Sequence, residues 1–550
     1  MRYIFIVTLL CLSSIGQSQP WLEGHGQDNF YELQSKFNEY WKDKEVKPGS
    51  GYKQFKRWEY HWQNRVNADG SFPPTGINIQ KYQDYQRKLL RQKSASRTTN
   101  INWASEGPAS SNINRIGVGR INCLAFHPTD FNKIYVGAAG GGFWYSNNGG
   151  DSWNTSTDFL SSMGISSILV HPTNPNIIYI ATGDGNQELN YSSGVYKSIN
   201  GGITWTMTAL DWSVSSKNVI RKMLFNPLNP DSVFVASNVG ILLLKDMGAT
   251  SNLLFAGDFF DIEANPNSSS HILYASTNNG VYKSSNSGVN WYNTMLLLSS
   301  NRIELAIAPT NPEYLYAAAS ETMTNELLGF YLSEQEGENF ALKNQVNLYG
   351  YYINNCDPGI GGFGRATSAL IVDKDDENTI YIGGVQSFKS ANKGEDWTIM
   401  SKWNDFICYQ LPVVHADKHG FAWQGNILWE VNDGGIYKSI NKGQTWLNKS
   451  NTLNIGHIAK IGISQSDATI ITGHIDNGTK LNLNSGIWND IHDGDGCESF
   501  INPNNSSTIF GSLYNGKIIR SYNSGASWNN IYNNIPSSGD DANFIAPIAM

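Results

Sequence analysis

Charge is scarce in this 550-residue chain: 39 Lys and Arg stand against 47 Asp and Glu, a formal net charge of −8, and only 16% of positions are charged. The clustered Lys and Arg that neutralise a phosphate backbone are missing from most of it, which argues against a nucleic-acid binder. Long hydrophobic runs are missing too. The one greasy stretch, near the N-terminus, is shorter than the roughly 18 to 20 residues of a membrane-spanning helix, and no later stretch approaches that length. Cysteine is rare, with five in the chain. What the sequence does have is 40% apolar and 12% aromatic residues. That content excludes a disordered tail and is enough for a large core, in one big repeat domain or several small ones. It also has 62 Asn and 53 Gly, residues that favour turns and tolerate positive φ. A helical protein would not hold so many breakers, so the composition predicts many short strands joined by tight turns.

Residues 1–19 have a short positive start, a short apolar centre and a small polar end, the pattern of a secretory signal peptide. They predict a soluble protein that is secreted or held at the cell surface. With the signal removed, Cys123, Cys356, Cys408 and Cys497 remain, and export permits a disulfide among them. Residues 20–100 differ from the rest. Phe30, Leu33, Phe37 and Trp41 recur at helical spacing, followed by an aromatic and basic run from Tyr52 to Trp62. Between Lys42 and Arg97 stand 13 Lys and Arg and 5 Asp and Glu. This local excess of +8 leaves the remainder at −16, so the segment is expected to dock electrostatically on an acidic body, as a docking or pro-segment.

From residue 101 to 550 the chain repeats. Six segments begin with Ser, pass through Asn and Gly and end in Trp: Ser146–Trp153, Ser198–Trp205, Ser284–Trp291, Ser390–Trp397, Ser439–Trp446 and Ser521–Trp528. Their serines lie 52, 86, 106, 49 and 82 residues apart. The three long intervals halve to a common pitch and hold degenerate copies at residues 244–248, 333–340 and 481–488. Four short strands at a pitch of roughly 40 to 50 residues make a propeller blade, so nine blades are predicted in an all-β propeller. The final residues, Asn543 to Met550, read as the first strand of a tenth, truncated repeat, and Ile101–Ser105 as a strand that could close the last blade.

The Ser-to-Trp loops resemble the Asp-box of BNR and sialidase-type propellers, with Asn148, Asn200, Asn286, Asn392, Asn441 and Asn523 where that family prefers Asp. The physical logic survives: an oxygen-bearing side chain ties the hairpin, Gly supplies positive φ and Trp packs into the blade. More widely, Val414–His419, Val431–Ser439, Asp476–Thr479 and Gly494–Gly496 make the chain similar to the sortilin/Vps10-like propellers secreted by Bacteroidota. That resemblance implies a ten-bladed ring, a binding role and export through the type IX secretion machinery. No sorting domain of that system is visible in the sequence.

Antiparallel strands return alternate loops to one side of a propeller, and this places the candidate functional residues. His415, Asp417 and His419 are expected to alternate along an innermost strand and point one way. Asp184, Asp433 and Asp476 fall in loops between second and third strands. Asp495 precedes a first strand, as do, or nearly do, Arg120, Arg221, Arg302 and Arg365. Together they predict a channel mouth lined with carboxylates, histidines and arginines, with Trp144, Trp403 and Tyr409 near it as stacking or packing aromatics. Cys356 and Cys408, in successive loops, form the preferred disulfide pair. The main expectation is recognition of an extracellular protein, peptide or glycan at this mouth. The rival is a glycoside hydrolase, xyloglucanase- or sialidase-like, using two of Asp417, Asp433, Asp476 and Asp495 as paired acid and base or nucleophile. The sialidase resemblance is poor, because the Arg-Ile-Pro start is absent. The xyloglucanase type uses two propellers with a cleft between them, whereas the sequence reads as one continuous array. No metal or cofactor is assigned: His-x-Asp-x-His is a weak pattern, and the Asp-Asn-Gly stretches offer oxygens suited to calcium without a complete EF-type spacing.

Overall fold

The computed structural model describes residues 29–46, 52–73, 105–350, 361–403, 410–532 and 543–548, apart from positions 112, 114, 161, 189 and 268, together with residues 81 and 84. The signal segment, Ile101–Ala104, Cys356, Cys408 and Tyr409 lie outside the described residues, and with them the strand and disulfide expectations that rest on them. Cys123 is not in a disulfide, and the buried Cys497 thiol lies 3.5 Å from the Phe544 carbonyl.

The repeat forms nine four-stranded sheets, each with its strands in chain order. Blade one consists of Ile121–Phe126, Ile134–Ala138, Gly142–Ser146 and Asn154–Thr155. Blades two to nine open with strands at Ile165, Ile220, Asp261, Ser300, Ala369, Lys418, Ile458 and Gly496. Middle strands such as Ile178–Thr182 are buried along their whole length, as expected where each sheet is covered on both faces by its neighbours.

The Asn and Gly excess is seen at work between the third and fourth strands. In blade seven the Ser439 hydroxyl donates to Asn441 Oδ1 at 2.9 Å and accepts from the Gly443 amide at 2.7 Å. Asn441 Oδ1 in turn accepts from the Thr445 amide at 2.9 Å. The same bonds recur at Ser146, Ser198, Ser284, Ser390 and Ser521. The Trp that ends each loop reaches back to the preceding blade. Trp205 of blade two packs edge-on against Phe143 of blade one, with centroids 5.0 Å apart, and Trp397 of blade six does the same to Phe330 of blade five at 4.9 Å.

That rule shows where the ring closes. Trp153 of blade one donates from its indole to the Lys449 carbonyl of blade seven at 2.8 Å, and its amide donates to Thr452 Oγ1 at 2.7 Å. Ile121, Ile134, Val136 and Trp153 share one buried cluster with Trp429, Val431 and Ile436 of blade seven, and the innermost strands of the two blades pack side by side. Trp488 of blade eight donates instead to the Glu106 carbonyl at 2.6 Å. The expectations of one continuous array and a ten-bladed ring are therefore corrected. Blades one to seven form a closed ring, blades eight and nine pack on each other as a second unit, and the segment leading into blade one lies along blade eight. Lys480 of blade eight donates to the Gly117 carbonyl at 3.0 Å, and Ser111 donates to Asp490 at 2.7 Å.

Before the propeller stand two helices, α1 (Phe30–Trp41) and α2 (Tyr52–Trp62). They pack through their own aromatic core: Phe37 stacks on Phe55 at 3.7 Å, and Trp58 lies between Phe30 and Phe72. The predicted helical segment is present. No described helix is long and apolar enough to cross a membrane.

Candidate functional site

The predicted polar residues fall into two connected groups. The first lines the channel of the seven-bladed ring around a cavity of about 270 Å3, which receives Asn122, Ser166, Arg221, Arg302 and His419 from the ring's inner strands. Its arginines are all paired. Arg120 binds Asp184, whose other oxygen lies 3.3 Å from the Asn122 amide. Glu188, which the sequence reading missed, accepts from Arg221 at 2.8 Å and Arg365 at 3.3 Å. Both of those guanidinium groups lie over the Phe260 ring. Arg302 binds Glu304 at 2.9 Å. Burial pushes the Glu304 carboxyl up to about 7, helped by Asp261 and opposed by Arg302.

The second group lies where blade seven meets blades eight and nine. Asp433 occupies the two-residue turn between Ile427–Asn432 and Gly435–Ser439. Asp476, with φ +60°, lies in the turn after Ile470–His474. Asp495 immediately precedes Gly496–Ile501. The turns are laced together: His415 Nε2 lies 3.0 Å from the Asp476 carbonyl, the Asn477 amide donates to the Asp433 carbonyl at 3.0 Å, and the Asp476 N–H donates to Asp495 Oδ1 at 3.1 Å. Gly434 is required here, because a Cβ would lie 2.3 Å from the His415 ring.

His415, Asp417 and His419 do not point one way, which corrects that expectation. The strand begins only at Lys418. Asp417 has φ +64°, and the pairing shifts register between Lys418 and Gly420. A left-handed residue and a bulge each turn the chain, so the period-two rule fails there. His415 is left facing blade eight, while His419 faces Asp433 and the ring channel.

A hydrogen-bond relay joins the two groups. The Arg302 guanidinium donates to Asn186 Oδ1 at 3.1 Å, which leaves Asn186 Nδ2 as a donor 3.0 Å from His419 Nδ1. Burial drives the His419 imidazole well below its ordinary value, with Arg120 adding to the effect. The ring is therefore neutral, accepts at Nδ1 and donates from Nε2 to Asp433 Oδ1 at 2.6 Å. Burial pushes the Asp433 carboxyl up to about 7, with the Asp476 charge reinforcing the rise and Arg120, His415 and Arg57 opposing it. Since Oδ1 accepts from His419, Oδ2 is the oxygen left to carry a proton when Asp433 is protonated. A protonated carboxyl beside a second carboxyl is the arrangement that separates acid and base roles.

Arg57 completes the site, and the sequence reading did not single it out. One guanidinium nitrogen of this α2 residue binds both Asp476, at 2.7 Å, and Asp495. Burial opposes its charge, but the two carboxylates outweigh burial and hold it above its ordinary value. The only sequence-level signal was the +8 charge of its segment. Trp144 and Trp403 belong to the blade cores rather than to a ligand surface. Among the described residues no three His, Cys, Asp or Glu side chains converge on a common metal position.

No family model matches the chain, and no curated protein matches it. Solved structures do. The GH74 xyloglucanase of Xanthomonas campestris superposes with a TM-score of 0.51 at 13% identity, over 75% of this chain and 74% of that one. An ancestral GH74 enzyme superposes with a TM-score of 0.53 at 15% identity, over 78% of this chain and 64% of that one. The fold class is thereby a β-propeller of the kind those glycoside hydrolases have.

Proposed function

We propose that this protein is an exported glycoside hydrolase that acts on a glycan at the junction of blade seven with blades eight and nine, with Asp433 as proton donor and Asp476 as base. The observation that carries this reading is the Asp433 carboxyl, raised to about 7 by burial and by Asp476, at the junction of a closed ring and a second propeller unit. Asp433 would give its Oδ2 proton to the leaving oxygen as the glycosidic C–O bond breaks, and Asp476 would take a proton from the attacking water. The fold shared with xyloglucanases supports xyloglucan and other β-glucans as the first substrates to test. The signal-like leader supports export, and the sortilin-type motifs support the type IX route.

The test is reducing-end release from xyloglucan and mixed-linkage β-glucan by the full-length chain. Asp433→Asn should lower release by about 100-fold or more, the usual contribution of a general acid, while glucan binding persists. Binding with no release from any glucan, by the full-length chain or by its Arg57→Ala variant, would overturn hydrolysis. A second reading, recognition without catalysis, is favoured by one observation: the carboxylate pair already holds a guanidinium, as it would in binding a basic peptide.

A further inference from the structure

The helical hairpin of α1 and α2 has its own core, in which Leu33, Phe37, Tyr52 and Phe55 are buried together and Phe30 stacks on Trp58. Its seat on the propeller is of a different kind. Arg57 reaches across to Asp476 and Asp495 and lies 5.6 Å from the centre of the Phe544 ring. Tyr60 packs against the cluster of Cys497, Phe544 and Ile545, with Lys460 over its ring at 5.8 Å. Next to these contacts a cavity of about 450 Å3 opens between Tyr60, Asn64 and Arg65 on the hairpin side and Ala459 and Lys460 on blade eight. Only α2 lies within the +8 segment: residues 30–62 carry 7 Lys and Arg against 5 Asp and Glu, a net +2, so the charge match is local, at Arg57. Among the described residues the seat is made by Arg57 and Tyr60, neither of which belongs to the hairpin's own core.

We propose that the hairpin is an intramolecular plug: Arg57 occupies the Asp476–Asp495 carboxylate pair as a stand-in for a cationic ligand, and the acid–base pair is accessible only when α2 lifts away. This rests on the reading of that junction as the functional site, but its test does not depend on any substrate. With Arg57 in place, one oxygen of each of these carboxylates is held by the guanidinium.

The experiment compares full-length wild type, Arg57→Ala and Arg57→Lys by carbodiimide and glycine ethyl ester labelling of Asp476, read by peptide mass spectrometry, with xyloglucan release measured on the same samples. A plug predicts labelling of Asp476 several-fold higher in Arg57→Ala, near wild type in Arg57→Lys, and xyloglucan release higher in Arg57→Ala than in wild type. Raised labelling with no release from any of the three proteins would still support the plug, while counting against hydrolysis. Unchanged labelling would overturn the plug whatever the activity. So would raised labelling with release lost only in Arg57→Ala, because Arg57 would then belong to the working site.

Discussion

Asp433 shows how one carboxyl takes its chemistry from its surroundings. Its turn is two residues long, its side chain is only 5% exposed, and the donors that reach it are tied through His419 and Asn186 to Arg302. The same burial makes a stability prediction whose sign follows from the direction of the shift. A carboxyl raised from 3.8 to about 7 holds in the folded state a proton that the unfolded chain releases. Its stabilising contribution is complete below about pH 4 and disappears as the pH rises through about 7, with a slope of up to about 1.4 kcal/mol per pH unit. The melting temperature of wild type should therefore fall relative to that of Asp433→Asn across this window. Parallel curves would mean that Asp433 ionises normally. The sequence placed Asp433, Asp476 and Asp495 on one face because strand order alone assigns loops to sides. It could not show the partners: Asn186 and Arg57 are far from Asp433 along the chain, and nothing local marks either of them.

Among the elements, the loop that ends each third strand was the most legible. Ser, Asn and Gly act within eight residues, and local chemistry fixes their bonds. What the final Trp touches depends on the neighbouring blade, so the closing contact of Trp153 on Lys449 was not readable. Trp153→Ala removes an aromatic side chain that is 5% exposed, together with its bond to blade seven. It should cost about 3 to 5 kcal/mol and, by hydrogen exchange, loosen blades one and seven before blades three to five. Uniform loosening, or a cost below about 1 kcal/mol, would contradict Trp153 as the latch of the ring. The strand expected at His415 to His419 failed for the opposite reason. Its period-two pattern was clear, but Asp417 adopts a left-handed conformation that the pattern does not encode.

At the scale of the whole molecule, blade number was legible from periodicity, whereas ring size was not, because closure is a contact between blades separated by about three hundred residues. The pattern of charge had meaning beyond solubility: the basic segment does contact the acidic body, through Arg57. Ion pairs at a partly exposed seat weaken with salt, since the screening length drops from about 10 Å at 0.1 M to about 3 Å at 1 M. Labelling of Asp476 in wild type should accordingly rise with NaCl over that range, and much less in Arg57→Ala. A salt response equal in the two proteins would remove the electrostatic seat from the account.

The central claim is that Asp433 carries the reacting proton beside Asp476, and the pH dependence of kcat/KM for xyloglucan release by the full-length Arg57→Ala protein tests it most directly. The account predicts a rate that falls as the pH rises through the Asp433 pKa, which lies above about 7 once the opposing Arg57 charge is removed, and near-complete loss of release at all pH values when Asp433→Asn is added. Release that stays level from pH 6 to pH 10, or that survives Asp433→Asn, would contradict it.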